Sequence, residues 1–187
     1  TDITPPVGIE MSGFAGRDFS IGVHDPLKAT AIVLENETKK AVLIVCDLLY
    51  LDADAVKDIR MEVNNRTGID PQNIAVACTH THYGPMLRLS KNSDSYVKTY
   101  REYLKYKLAG VVYEATNLMQ PTKVGVGWGE SDIGINRREK RSDGKIVLGQ
   151  NPEGPVDRQV GVLRFDDVEG NPVLCLVNFA CHPVSQA

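Results

Sequence analysis

The short run Ile74-Ala-Val-Ala-Cys78 constrains this chain more than any other feature. It is apolar at every position, too short for a stable helix, and ends at the polar stretch that begins with Thr79. Such a run predicts a strand covered on both faces. A strand of that kind needs neighbours in a sheet and layers packed against them. Residues 29–35 (ATAIVLE) and 41–47 (AVLIVCD) read as two further strands joined by the polar turn Asn36–Lys40. Asp52 is placed to cap a helix running to about Arg66, with Gly68 ending it and Pro71 following. A second helix is expected over Ser95–Asn117. Its inward stripe is read from Tyr96, Tyr100, Tyr103, Leu104, Leu108, Val111 and Ala115, which recur at three- and four-residue steps.

Residues 122–128 then read as a strand and 145–149 as a short one. Residues 160–166 and 172–180 read as a hairpin around Asp167–Asn171. The stretch 130–156 is left as a long loop rich in Gly, Arg and Asn, a kind of segment that often carries function. Strands interleaved with two good helices give an α/β class, a mixed β-sheet layered with helices. No repeat, low-complexity stretch or linker interrupts the chain, so residues 1–187 read as a single domain.

Composition narrows the function classes. Hydrophobic residues make up 42% and charged residues 24%, enough for a packed core in a water-facing protein. The net charge of −3 argues against a nucleic-acid binder, which needs a basic face. No apolar run approaches the ~20 residues of a transmembrane helix. The four cysteines show no Cys-x-x-Cys spacing. They read first as small buried hydrophobes, with a disulfide as the alternative.

Three of the four histidines follow strand-like runs. His80 and His82 come just after 74–78 and before Gly84-Pro85; in extended backbone, alternate side chains share a side. His182 follows Val177-Asn-Phe-Ala-Cys181 and precedes Pro183. Two strands that each deliver histidine at an end suit a shared metal site, because neutral imidazole binds zinc without a large charge penalty and ligands gather at strand ends in α/β proteins. Ordinary hydrogen-bonded histidines are the alternative. His24, in Gly22-Val-His-Asp-Pro26, reads as a loop residue bonded to Asp25 or as a residue beside a substrate. Asp47 reads as a strand-end cap or as the carboxylate that orients a ligand histidine. Asn136-Arg137-Arg138 reads as a solvated pair of arginines or as a clamp on a substrate oxygen. No Gly-x-Ser-x-Gly elbow is present.

The segments Asp2-Ile-Thr-Pro-Pro-Val-Gly8, Gly22-Val-His-Asp-Pro-Leu27, Thr79-His-Thr-His-Tyr-Gly-Pro85, Ile135-Asn-Arg137, Asn151-Pro152 and Asn178-Phe-Ala-Cys-His-Pro183 follow one another in this order. Together they resemble the neutral/alkaline non-lysosomal ceramidases. The resemblance implies a zinc-dependent hydrolase that cleaves the amide of an N-acyl lipid with metal-activated water. It assigns His80 and His182 as metal ligands, His82 as a catalytic group beside the metal, and Arg137, with Arg138 as its neighbour, to the substrate. It also implies a Glu and a Tyr ligand beyond Ala187. The chain is thus expected to be the N-terminal part of a larger catalytic domain, secreted or periplasmic. An apolar surface is expected where further residues, or a second copy of the chain, would pack. A non-lipid amide or ester substrate and a non-catalytic binding module are the alternatives. The chain departs from the family motif where Tyr83-Gly-Pro-Met-Leu87 stands for Ser-Gly-Pro-Gly-Gly, and where Arg-Arg-Glu-Lys140 follows Asn136.

Overall fold

The structure is a computed structural model that describes residues 1–16, 19–90 and 93–183. Where the sequence reads as one domain, the chain divides into two compact units. The first comprises Thr1–Met119 with Pro183, and the second Gln120–His182. The junction is the short turn after the second helix, which carries no linker composition to betray it.

In the first unit β1 (Ala29–Glu35) and β2 (Lys40–Cys46) form the expected hairpin. Asn36 closes its turn, its side-chain oxygen accepting the backbone N–H groups of Thr38 and Lys39. Helix α1 (Ala53–Thr67) then carries the chain to β3 (Ile74–Cys78), which pairs parallel to β2 and completes a mixed sheet of order β1-β2-β3. The helix ends follow the sequence: the Asp52 carboxylate accepts the Ala55 N–H at 2.8 Å, and Gly68 adopts φ 72° past the last turn. A single 3-10 turn, Pro71–Asn73, was not expected.

Helix α2 (Ser95–Asn117) has the expected bounds but a rotated inward face. Val97, Tyr100, Leu104, Leu108, Ala109 and Val112 are buried, whereas Tyr96 and Tyr103 stand about half exposed. Ring and hydroxyl give tyrosine an amphipathic character, so periodic tyrosines mark a boundary as readily as a core. The buried set packs with Ile44, Cys46, Leu48, Ile59 and Val63 into one core. Strand β3 is the sheet edge and alternates, with Ala75 and Ala77 exposed, so it is not covered on both faces as expected. Small alanines tolerate that exposure at little cost.

The second unit is antiparallel. Strands β4 (Lys123–Glu130), β7 (Gln159–Asp166) and β8 (Pro172–Phe179) pair in the order β4-β7-β8, and β5 (Arg138–Lys140) pairs with β6 (Ile146–Leu148). Strand β5 was hidden in the sequence because Arg138, Glu139 and Lys140 show no apolar alternation. Val124, Val126 and Trp128 stand exposed along the edge strand β4, an apolar row of the kind expected where further chain would pack. Among the described residues no helix is long and apolar enough to cross a membrane.

Candidate functional site

The parallel pairing of β2 with β3 continues past the last strand residues. Thr79 N–H donates to the Cys46 carbonyl at 2.9 Å, and His80 N–H to that of Leu48 at 3.0 Å. His80 then turns to φ 62°, a left-handed conformation uncommon for a residue with a side chain. The two histidines are therefore not aligned by the alternation of an extended strand, as the sequence suggested. A sharp turn at His80 brings the rings together instead, with centroids 5.1 Å apart and planes at 79°.

The Nδ1 of His80 lies 2.8 Å from the Leu49 carbonyl oxygen. A carbonyl can only accept, so Nδ1 carries the hydrogen and, in the neutral ring, Nε2 carries the lone pair. This is the tautomer a metal ligand needs, held by the kind of outer hydrogen bond that ligand histidines use. Asp47 does not perform that role for His80. Its carboxylate accepts the Lys28 N–H at 2.9 Å and the Thr79 hydroxyl at 3.2 Å, which ties the exits of β2 and β3 together.

Beneath His82 lies a segment to which the sequence drew no attention. Ser20 N–H donates to the Ile9 carbonyl, and residues 10–12 run along the histidine loop. Ser12 N–H donates to the Gly84 carbonyl at 3.0 Å, its hydroxyl to the Pro85 carbonyl at 3.1 Å, and Met86 N–H to the Glu10 carbonyl at 2.8 Å. Ser12 is 2% exposed, a buried hydroxyl satisfied by these carbonyls. The Phe14 ring meets the His82 ring edge-on at 5.1 Å and that of Tyr83 at 5.7 Å. The one usable sequence signal was the glycine at position 13, between Ser12 and Phe14.

A cavity of about 710 Å³ opens beside this loop in the first unit, lined in part by Met11, Leu27, Asp47, Thr81, Tyr83 and Pro183. That is the size of an ordinary small-molecule site. His24 also borders it, its Nδ1 2.7 Å from the Asp25 carboxylate, so it has the expected Asp25 partner and also stands at the cavity. Both side chains are almost fully exposed.

In the second unit His182 follows β8 as expected. Arg137 and Arg138 are exposed and line a separate hollow of about 440 Å³ with Asn136, Asp157 and Ala180. Asn136 braces this segment: its amide donates to the Pro155 carbonyl at 3.0 Å, its side-chain oxygen accepts the Arg138 N–H at 2.9 Å, and its own carbonyl accepts the Asn151 N–H at 2.9 Å. Two of the distant motifs, Ile135–Arg137 and Asn151-Pro152, are thus one local structure.

No protein-family model matches the chain. Among solved structures it is similar to the neutral ceramidase of Pseudomonas aeruginosa, with a TM-score of 0.80 and 20% identity over 97% of this chain. It is likewise similar to a ceramidase complexed with C2, with a TM-score of 0.78 and 22% identity over 97% of this chain. The chain shares their fold, and spans 30% of the length of each.

Proposed function

We propose that this chain carries the histidine-bearing part of a zinc-dependent hydrolase acting on the amide bond of an N-acyl lipid or a related amide. The observation that carries the reading is the fixed tautomer of His80, whose Nε2 lone pair is presented beside His82 at the end of β3. In this reading His80 and His182 are the metal ligands and His82 is the catalytic group beside the ion, the roles that the resemblance to the ceramidases implies for the residues of these motifs. An all-imidazole set of this kind suits zinc, and leaves room for the carboxylate and water that catalytic zinc sites commonly add. The fold shared with ceramidases supports the reading.

When bound, zinc supplies Lewis acidity and a water that ionises near neutral pH. The remaining work falls to side chains. His82 takes a proton from the attacking water and returns it to the departing amine. Arg137 holds a substrate oxygen through paired N–H donors, with Arg138 beside it. The Leu49 carbonyl keeps the His80 ring from turning. The cavity beside Tyr83 takes one arm of the substrate.

A second reading, a non-lipid amide or ester substrate, draws on Tyr83 and Met86. Tyr83 lines the cavity where the ceramidase motif has serine, and Met86 receives the Tyr50 hydroxyl at 3.8 Å. Tyr83 adds bulk at the cavity, and Met86 stands one residue past the cavity-lining Pro85. Release of amine or alcohol by the full-length protein from a panel of N-acyl sphingoid, N-acyl amino-acid, aryl-amide and aryl-ester substrates, with zinc and with chelator, tests both readings. Turnover that chelator does not abolish, or no turnover on any amide or ester, rejects the proposal.

A further inference from the structure

We infer that Gly13 is a positioning residue for His82, fixing the ring from a segment far away in sequence. The inference rests on the reading that His82 moves the proton. A Cβ built on Gly13 would stand 2.7 Å from the Cα of His82, 2.8 Å from its Cβ and 2.9 Å from its Cγ. The first of these is backbone, which cannot swing aside as a side-chain tip would. Gly13 also has φ +107°, a region that residues with a side chain rarely enter. Only glycine satisfies both demands.

The contact is built rather than incidental. Ser12, next to Gly13, is buried and bonded through both N–H and hydroxyl to Gly84 and Pro85, on the far side of His82. Phe14, on the other side of Gly13, sets its ring edge against the imidazole at 5.1 Å. The platform therefore grips the His82 backbone from below and the ring from the side. Forcing the two segments apart by one methyl group moves His82, while His80, its ring neighbour, keeps its own anchors on the carbonyls of Leu48 and Leu49. Proton transfer depends steeply on such placement, and a displacement of about 1 Å costs on the order of 100-fold in rate. Metal loading through His80 is left intact.

Gly8 supplies the control. It has φ +94° in the same segment, yet a Cβ there meets nothing within 4 Å. Gly8→Ala thus introduces backbone strain alone, and Gly13→Ala strain plus the contact. The experiment compares zinc content, kcat and KM on a fluorogenic short-chain N-acyl sphingoid amide, and, in the metal-free protein, the NOEs between the His82 ring and its neighbours. Gly13→Ala is expected to keep zinc and KM, lose roughly 100-fold in kcat, and lose the His82–Phe14 NOEs. Gly8→Ala is expected to keep kcat within about twofold and retain those NOEs. The inference is overturned if the two variants lose kcat equally at equal folded fraction, or if Gly13→Ala keeps both kcat and NOEs. If Gly13→Ala does not fold, Phe14→Leu decides. It should lower kcat at unchanged zinc content and average out the NOEs from the His82 ring to Gly13 Hα; retention of both rejects the inference. A wild-type protein with no turnover on any amide refutes the proposed reaction, while the metal-free NOEs still decide whether Gly13 places His82.

Discussion

The Nδ1 of His80 donates to the carbonyl oxygen of Leu49 across 2.8 Å, so a backbone group just past β2 sets the tautomer of a ring just past β3. The ligand nitrogen is chosen by the register of two parallel strands. Metal binding should follow that choice. In the full-length protein, His80→Ala is expected to lose zinc, whereas His82→Ala keeps zinc and loses most turnover, because a proton-transfer group does not hold the ion. His24→Ala, at an exposed histidine bonded to Asp25 at the cavity rim, should leave zinc content unchanged. Metal content after dialysis, read beside turnover, checks all three. Equal zinc loss in the His80 and His82 variants would make His82 a ligand as well.

Asp47 offers a test of how the strand exits are held. Its carboxylate accepts one backbone N–H, from Lys28, and one hydroxyl, from Thr79. Asp47→Ala removes both acceptors and should cost about 1–2 kcal/mol in urea unfolding. Asp47→Asn retains an acceptor oxygen and should cost less. Zinc affinity should weaken with Asp47→Ala, since Thr79 immediately precedes His80 and its release loosens the turn. Unchanged affinity at the expected loss of stability would show that the Leu48 and Leu49 carbonyls suffice.

Asp52 joins the two helices. It caps α1 through the Ala55 N–H and receives Arg101 of α2 through two nitrogens at 2.8 and 3.0 Å, while Arg101 also donates to the Leu87 carbonyl. Partial burial pushes the Asp52 carboxyl up, but the bonds from Arg101 and Ala55 and the charges of Arg101 and Arg88 outweigh it, so its pKa lies below the ordinary value of 3.8. A carboxylate with a lowered folded-state pKa stabilises the fold fully above its unfolded pKa and loses that stabilisation as pH falls through the folded value. Arg101→Met should therefore cost about 1–2 kcal/mol near neutral pH. The difference from wild type should shrink as pH drops below about 4. A gap that stays constant from pH 7 to 3 would place the loss in packing rather than in the ion pair.

Much of this architecture was legible in residue order. The bounds of β1, β3 and α2 follow from apolar runs, and those of α1 from Asp52 and Gly68 at its ends, since local chemistry decides them. The strand-then-histidine pattern likewise located His80, His82 and His182. The rest was set by contacts remote in sequence. The inward face of α2 was misread because Tyr96 and Tyr103 share the period of the core residues while lying at its margin. The left-handed turn at His80 has no composition signal, for only the pairing with Leu48 and Leu49 imposes it. Gly13 could be known as irregular backbone, but its partner His82 appears only when the loop returns.

The cysteines supply a test of the β2–β3 pairing itself. Cys46 and Cys78 are register partners on the two parallel strands, and both are free thiols. Burial pushes the Cys46 thiol up to about 12, with Cys78 and Asp47 adding to it, and burial pushes Cys78 up to about 11. The thiolate is the reactive species, so at pH 8 fewer than ~1 in 500 copies of either side chain is ionised, before access is considered. Cys175 and Cys181 are exposed. An aromatic disulfide reagent added to the native, reduced protein at pH 8 should therefore release two equivalents of thiolate promptly and the other two only on denaturation. Cys175→Ser and Cys181→Ser should each remove one of the fast pair. Cys46→Ser and Cys78→Ser should leave the fast pair intact. Four prompt equivalents would mean that β3 opens from β2 on the timescale of the reaction, and the His80–Leu49 hydrogen bond, which depends on that pairing, would open with it.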